Sequence, residues 1–134
     1  MLHTFLRLAV YIPVEDADDQ DAKFTEASWL MESGSVRTIL RILQNTGYAG
    51  TIGTYKTVAE ISAGLETFVP TESSQPSHGS AGTAAVVPSA RLVTYLPSST
   101  PAGELSRLAD EIAAAHPWEH PVIEVDTVRL WMPA

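Results

Sequence analysis

Near the end of this 134-residue chain, two histidines and a glutamate fall within five positions, His116-Pro117-Trp118-Glu119-His120, and Pro121 closes the run. Three chemistries suit such a group. Imidazole and carboxylate together ligate Cu(II), Ni(II) or Zn(II), and His78, on a Ser/Gly-rich stretch, is a third imidazole able to join His116 and His120. The same side chains suit proton transfer, because Glu119 beside the apolar Trp118 and a histidine form an acid–base pair near neutral pH. The third use is structural. Pro117 and Pro121 fix φ and hold His116 and His120 extended, as a tight helix-to-strand corner requires. One alternative is excluded: an H-x-x-E-H zinc helix needs its ligands at helical spacing, which these prolines forbid.

Further candidates are aromatic. Tyr55 can support proton transfer by His116, Glu119 and His120, and Tyr48 and Tyr95 can donate to a ligand carbonyl, although aromatic strand residues commonly serve packing. Trp29 and Trp118 can line an apolar ligand cavity or bury area between subunits, as can Trp131. Glu66 and Glu72 read as solvated surface. Ser73, Ser74, Ser77 and Ser80 show no nucleophile-elbow pattern. The sequence has no cysteine, which excludes thiolate catalysis, disulfides and Cys-ligated zinc.

Composition narrows the partners. With 45% apolar and 18% charged residues the chain reads as one globular domain spanning residues 1–134. A net charge of −8, with only eight scattered Lys and Arg, argues against a nucleic-acid partner. No run reaches the length of a membrane span. "MLHTFLRLAVYIP" reads as a strand rather than a signal peptide, and a cytoplasmic location is the expectation.

The elements that must position these residues follow from periodicity. Leu6, Leu8, Val10 and Ile12 share one face of the first strand. Five acids in the seven residues from Glu15 to Asp21 read as a solvated loop and lack calcium-loop spacing. "AKFTEASWLME" suits a short helix. Val36, Ile39, Leu40 and Leu43 form the stripe of a longer one, with Ser35 as N-cap and Gly47 just past its end. Glycines 47, 50, 53 and 64 punctuate Thr- and Val-rich segments, which predict two strands or a long hairpin, with no phosphate-binding fingerprint. Residues 71–85 read as a flexible loop. "ARLVTYLP" alternates Leu92, Thr94 and Leu96 against Val93 and Tyr95. The next helix is capped by Thr100, with Leu105, Leu108 and Ile112 as its buried stripe. In the last strand the apolar parity switches after Val125, which predicts a bulge near Asp126. The order is β-α-β-β-α-β: an α+β, ferredoxin-like sandwich with an antiparallel sheet and both helices on one face.

The succession "YIP", "GYAGTIGTY", "TFVP", "QPSHGSAG" and "AAAHPWEHPVIEV" resembles the small domain inserted in many NIF3/YqfO-family proteins, which also occurs as stand-alone chains. That domain shows a "GAGxIGNY" turn and an "AHPYEEPAYD" ending, the latter shared in looser form with CutA, a trimeric relative of the PII signalling proteins. The match spans roughly residues 6–131 and is strongest over Gly50–Tyr55 and His116–Pro121. It implies a PII/CutA-like fold, a homo-oligomer that is expected to be a trimer, and sites in clefts between subunits. It supplies no reaction: the inserted domain has no established activity, and CutA is associated mainly with divalent copper. Two departures stand out. His120 replaces the family's second glutamate, and a segment at about residues 15–35, bearing Trp29, enlarges the first crossover.

Two functions follow as expectations. One is an oligomeric binding protein that holds a small ligand or a divalent metal, copper or zinc, between subunits, with no cofactor required. The other is a cofactor-independent isomerase, cyclase or lyase acting on a small carbonyl compound.

Overall fold

The computed structural model describes residues 1–14, 27–74 and 79–133. The acidic run, the start of the 15–35 segment and His78 lie outside them. The described chain forms β1 (Leu2–Pro13), a 3-10 turn (Ala27–Glu32), α1 (Gly34–Asn45), β2 (Ala59–Phe68), β3 (Ala85–Pro97), α2 (Ala102–Ala115) and β4 (Ile123–Trp131). The four strands make one sheet in the order β2-β3-β1-β4, every neighbouring pair antiparallel. This is the expected α+β, ferredoxin-like arrangement.

Opposite residues in the ladders share a face, so register sorts the side chains. Leu8, Val10 and Ile12 face the same way as Ala90, Leu92 and Leu96, because Val10 pairs with Leu92 and Ile12 with Ala90. All six are buried in one cluster with Val36, Ile39 and Leu43 of α1, Leu108 and Ile112 of α2, and Trp29 and Leu30 of the 3-10 turn. Both helices therefore cover the same face. The opposite parity carries Phe5, Arg7, Tyr11, Arg91, Val93 and Tyr95, half-buried on a face that no described helix covers.

Several local expectations change. Ser33, not Ser35, caps α1: its Oγ accepts the Val36 N–H at 3.3 Å, two residues earlier than the apolar stripe suggested. At α2 the cap residue is Pro101, which has no side-chain cap bond, and the Thr100 hydroxyl donates backwards to the Pro97 carbonyl at 2.7 Å. No bulge occurs at Asp126, since β1 pairs without a break from Val10–Ile123 to Leu2–Trp131. Being at the sheet edge, β4 carries apolar side chains on both faces, and that double-sided pattern imitates a parity switch. Finally, residues 46–58 hold turns and one isolated bridge between Ile52 and Tyr55, and a single strand, β2, forms between Gly47 and Pro70.

Candidate functional site

The His116 corner is built from the ends of two ladders. Helix α2 stops at Ala115, and Pro117 prevents its continuation. Strand β4 begins only at Ile123, so the Tyr11 carbonyl at that edge of β1 has no β4 partner. His116, 8% exposed, fills the gap: its Nε2 lies 2.6 Å from the Tyr11 oxygen, and its Nδ1 accepts the Trp118 N–H at 3.0 Å. An accepting Nδ1 leaves the ring proton on Nε2 to donate to Tyr11, which fixes the neutral tautomer by its partners. Trp118 packs edge-on against Phe68, with ring centroids 5.2 Å apart, and so ties the corner to the end of β2. Glu119 and His120 are exposed beside it.

The other predicted residues are dispersed. Trp29 is a core side chain, 1% exposed. Tyr48 donates to Glu104 Oε1 at 2.8 Å and so fastens the turn after α1 to the start of α2. Burial and that bond raise the Tyr48 phenol above its ordinary range, while Arg107 and Tyr48 together hold Glu104 below the ordinary carboxylate range. Tyr55, 74% exposed, stands on the turn that begins at Ile52. Among the described residues, no three His, Asp or Glu side chains gather closely enough to hold a metal ion.

Of the aromatic candidates, Tyr95 lines a cleft formed by the described residues. This space of about 390 Å³ lies on the uncovered sheet face, bounded by Arg7, Val58, Ala59, Glu60, Ser62, Arg91, Val93 and Tyr95. Its size falls in the range of small-molecule sites. Both arginines are oriented by the residue directly across the ladder. Arg7 makes a two-pronged bond to Asp126, 3.1 Å from Nε to Oδ1 and 2.7 Å from Nη2 to Oδ2. Arg91 donates from Nε to the Tyr11 hydroxyl at 3.1 Å, its guanidinium 5.8 Å from the centre of that ring. A carboxylate neutralises Arg7, whereas a neutral phenol holds Arg91 and leaves its charge available. The sequence reading missed Arg7, Glu60, Ser62 and Arg91. Their signal was strand parity: each alternates against a residue of the core face.

Glu66 was read as solvated surface and is not. It is half-buried on β2, its Oε1 has no hydrogen-bond partner among the described residues, and burial raises the carboxyl above the ordinary 4.5 while Ser89 pulls the other way. A raised carboxyl contributes stability at low pH that is lost as pH rises through its folded value. Glu66→Gln should therefore melt progressively higher than the parent as pH climbs above the ordinary carboxylate range, with the two converging in acid. Parallel melting curves at every pH would show that Glu66 is not titrating in a desolvated place.

No family model and no curated protein matches the sequence. Solved structures do match in shape. The chain is similar to a Bacillus cereus protein related to NIF3, at 21% identity and a TM-score of 0.58 over 96% of this chain, and it spans 26% of that protein. It is also similar to the periplasmic divalent cation tolerance protein CutA from Archaeoglobus fulgidus, at 11% identity and a TM-score of 0.53, covering 92% of this chain and 82% of that one. A third similar structure is a phage SAM lyase in complex with S-methyl-5'-thioadenosine, at 10% identity and a TM-score of 0.52, covering 94% and 88%. At these identities the likeness establishes the fold alone. The protein is thus an α+β sandwich of the ferredoxin-like, CutA-like class.

Proposed function

We propose that this chain is a small-molecule binding module that assembles, expectedly as a trimer, through the bare face of its sheet and holds its ligand in the Arg7–Arg91 cleft beneath a second copy. The cleft itself is the observation that carries this proposal: a pre-oriented arginine, a carboxylate, a hydroxyl and an aromatic wall converge on a sheet face that the helices leave bare. A half-buried face that includes Phe5, Val93, Tyr95 and Val128 also favours cover by protein. Native mass spectrometry of protein taken gently from its host reads subunit count and retained mass together. The expected result is a small oligomer with a retained small molecule that Arg91→Ala loses without changing subunit number. A monodisperse monomer with no retained mass would overturn the proposal.

A divalent cation, copper or zinc, is the other ligand class to test, supported by the exposed His120 and Glu119 and by the CutA likeness in fold. His116 would have to give up two hydrogen bonds to take part. His120→Ala should abolish stoichiometric copper or zinc uptake while changing stability by no more than about 0.5 kcal/mol. Unchanged uptake removes His120 as a ligand.

One observation favours the enzyme alternative, a cofactor-independent isomerase, cyclase or lyase of a small carbonyl compound. The Glu66 carboxyl, which burial raises above its ordinary range, points from the same sheet face as the cleft and can serve there as a general acid.

A further inference from the structure

Resting on the cleft as the ligand site, we infer that it recognises a zwitterion: a free α-amino acid, or a molecule carrying an α-amino-acid head group, with an apolar remainder. Arg91 takes the carboxylate, Glu60 takes the ammonium, and Tyr95, Val58, Ala59 and Val93 receive the side chain.

The register places the two charges. Ser62 lies directly opposite Arg91 and Glu60 directly opposite Val93, so Glu60 is the diagonal neighbour of Arg91. Diagonal positions on an antiparallel pair are about 7–8 Å apart, within reach of two long side chains closing on one small ligand. Opposite charges so placed ordinarily pair with each other. Here they do not: the guanidinium turns to the Tyr11 hydroxyl, and Glu60 makes no hydrogen bond or ion pair among the described residues. Tyr11 fixes Arg91 through Nε and leaves the two terminal nitrogens, the pair that grips a carboxylate end-on, for a ligand.

Arg7 does not compete for this role, because Asp126 takes its Nε and Nη2 side-on and offsets its charge. The cleft therefore presents one uncompensated cation, one uncompensated anion and, opposite Arg91, the Ser62 hydroxyl, beside an apolar wall. A simple anion would leave Glu60 facing its own charge, and a simple cation would leave Arg91 doing so. An amino-acid head group satisfies both, because its carboxylate and ammonium sit on one carbon. The chain carries a net charge of −8, with only eight basic residues, and two of those eight line this one cleft.

The test titrates the intact protein with L-leucine, L-methionine and L-phenylalanine, each alongside its deamino acid and its decarboxylated amine, and follows the amide signals of Ser62, Arg91 and Val93. At least one amino acid should shift these signals about tenfold more tightly than either of its analogues. Glu60→Gln should bring that amino acid down to the affinity of its deamino acid while leaving the deamino acid unchanged. Arg91→Ala should weaken both. If the deamino acid binds as tightly as the amino acid and Glu60→Gln changes nothing, the cleft is an anion site: the zwitterion inference is overturned and the binding module stands. If no probe shifts the cleft signals, the inference is overturned as well. Whether the cleft itself fails is then read separately, from the dependence of the retained mass on Arg91.

Discussion

Replacing Gly50 with alanine is expected to destabilise the fold by about 3 kcal/mol or more and to lower its melting temperature by on the order of 10 °C. Gly50 has φ +78°, and a Cβ added there would lie 2.5 Å from the Val58 amide nitrogen and 2.6 Å from its carbonyl oxygen. The obstruction is backbone on both counts, so no side chain can swing aside to relieve it. The two backbone segments, around Gly50 and around Val58, must separate locally, and that breaks what Gly50 holds together. Its N–H donates to the Tyr95 carbonyl at 2.7 Å, extending the β3 edge where β2 has not yet begun, and its carbonyl accepts the Val58 N–H at 2.9 Å.

Gly53 provides the control. It also has a positive φ, +57°, but nothing lies within 4 Å of its added Cβ, so Gly53→Ala should cost only about 1 kcal/mol of backbone strain. Thermal melts of the two variants check the difference. If Gly50→Ala melts within a degree or two of Gly53→Ala, the close approach to Val58 is wrong. Because Val58 and Ala59 border the cleft, the fraction of Gly50→Ala that folds should also retain less ligand.

The second large effect concerns His116. Truncation to alanine removes the donor to Tyr11 and the acceptor for Trp118, and opens a void at a site that is 8% exposed. The stranded carbonyl and amide, together with the lost packing, should cost about 2–3 kcal/mol. His120→Ala, four residues away and exposed, should stay within about 0.5 kcal/mol of the parent. The contrast separates the corner from the candidate ligand. Equal melting of His116→Ala and the parent would mean that the imidazole does not hold the β1 edge. A large loss at His120 would mean that the exposed half of the motif has a structural role that the geometry does not show.

Much of the architecture was legible because local physics is strong there. The alternation of Leu6, Leu8, Val10 and Ile12, the stripe of Val36, Ile39 and Leu43, and that of Leu105, Leu108 and Ile112 each mark one apolar face, and burial of those faces leaves few arrangements open. The Pro117–Pro121 corner was legible for a similar reason, since proline limits the backbone whatever surrounds it. Where local signals were matched by more than one structure, they misled. Ser33 and Ser35 are both good cap residues only two positions apart, and the structure uses Ser33. The two-sided apolar pattern of β4 suits an edge strand as well as a bulge.

The cleft lies on the other side of that division. Chain alternation put Arg7 and Arg91 off the core face. Only the pairing of β1 with β3 and β4 set Arg7 against Asp126 and Arg91 against Tyr11, and so left one charge spent and the other available. Only the pairing of β2 with β3 brought Glu60 diagonal to Arg91, from a position thirty-one residues earlier in the chain. The same holds for Glu66, an ordinary glutamate in sequence that the sheet buries deeply enough to raise its carboxyl. Periodicity determines which face a side chain takes, because it is a property of a single strand. Which charges meet on that face depends on register between strands distant in sequence, and that is decided by the tertiary fold.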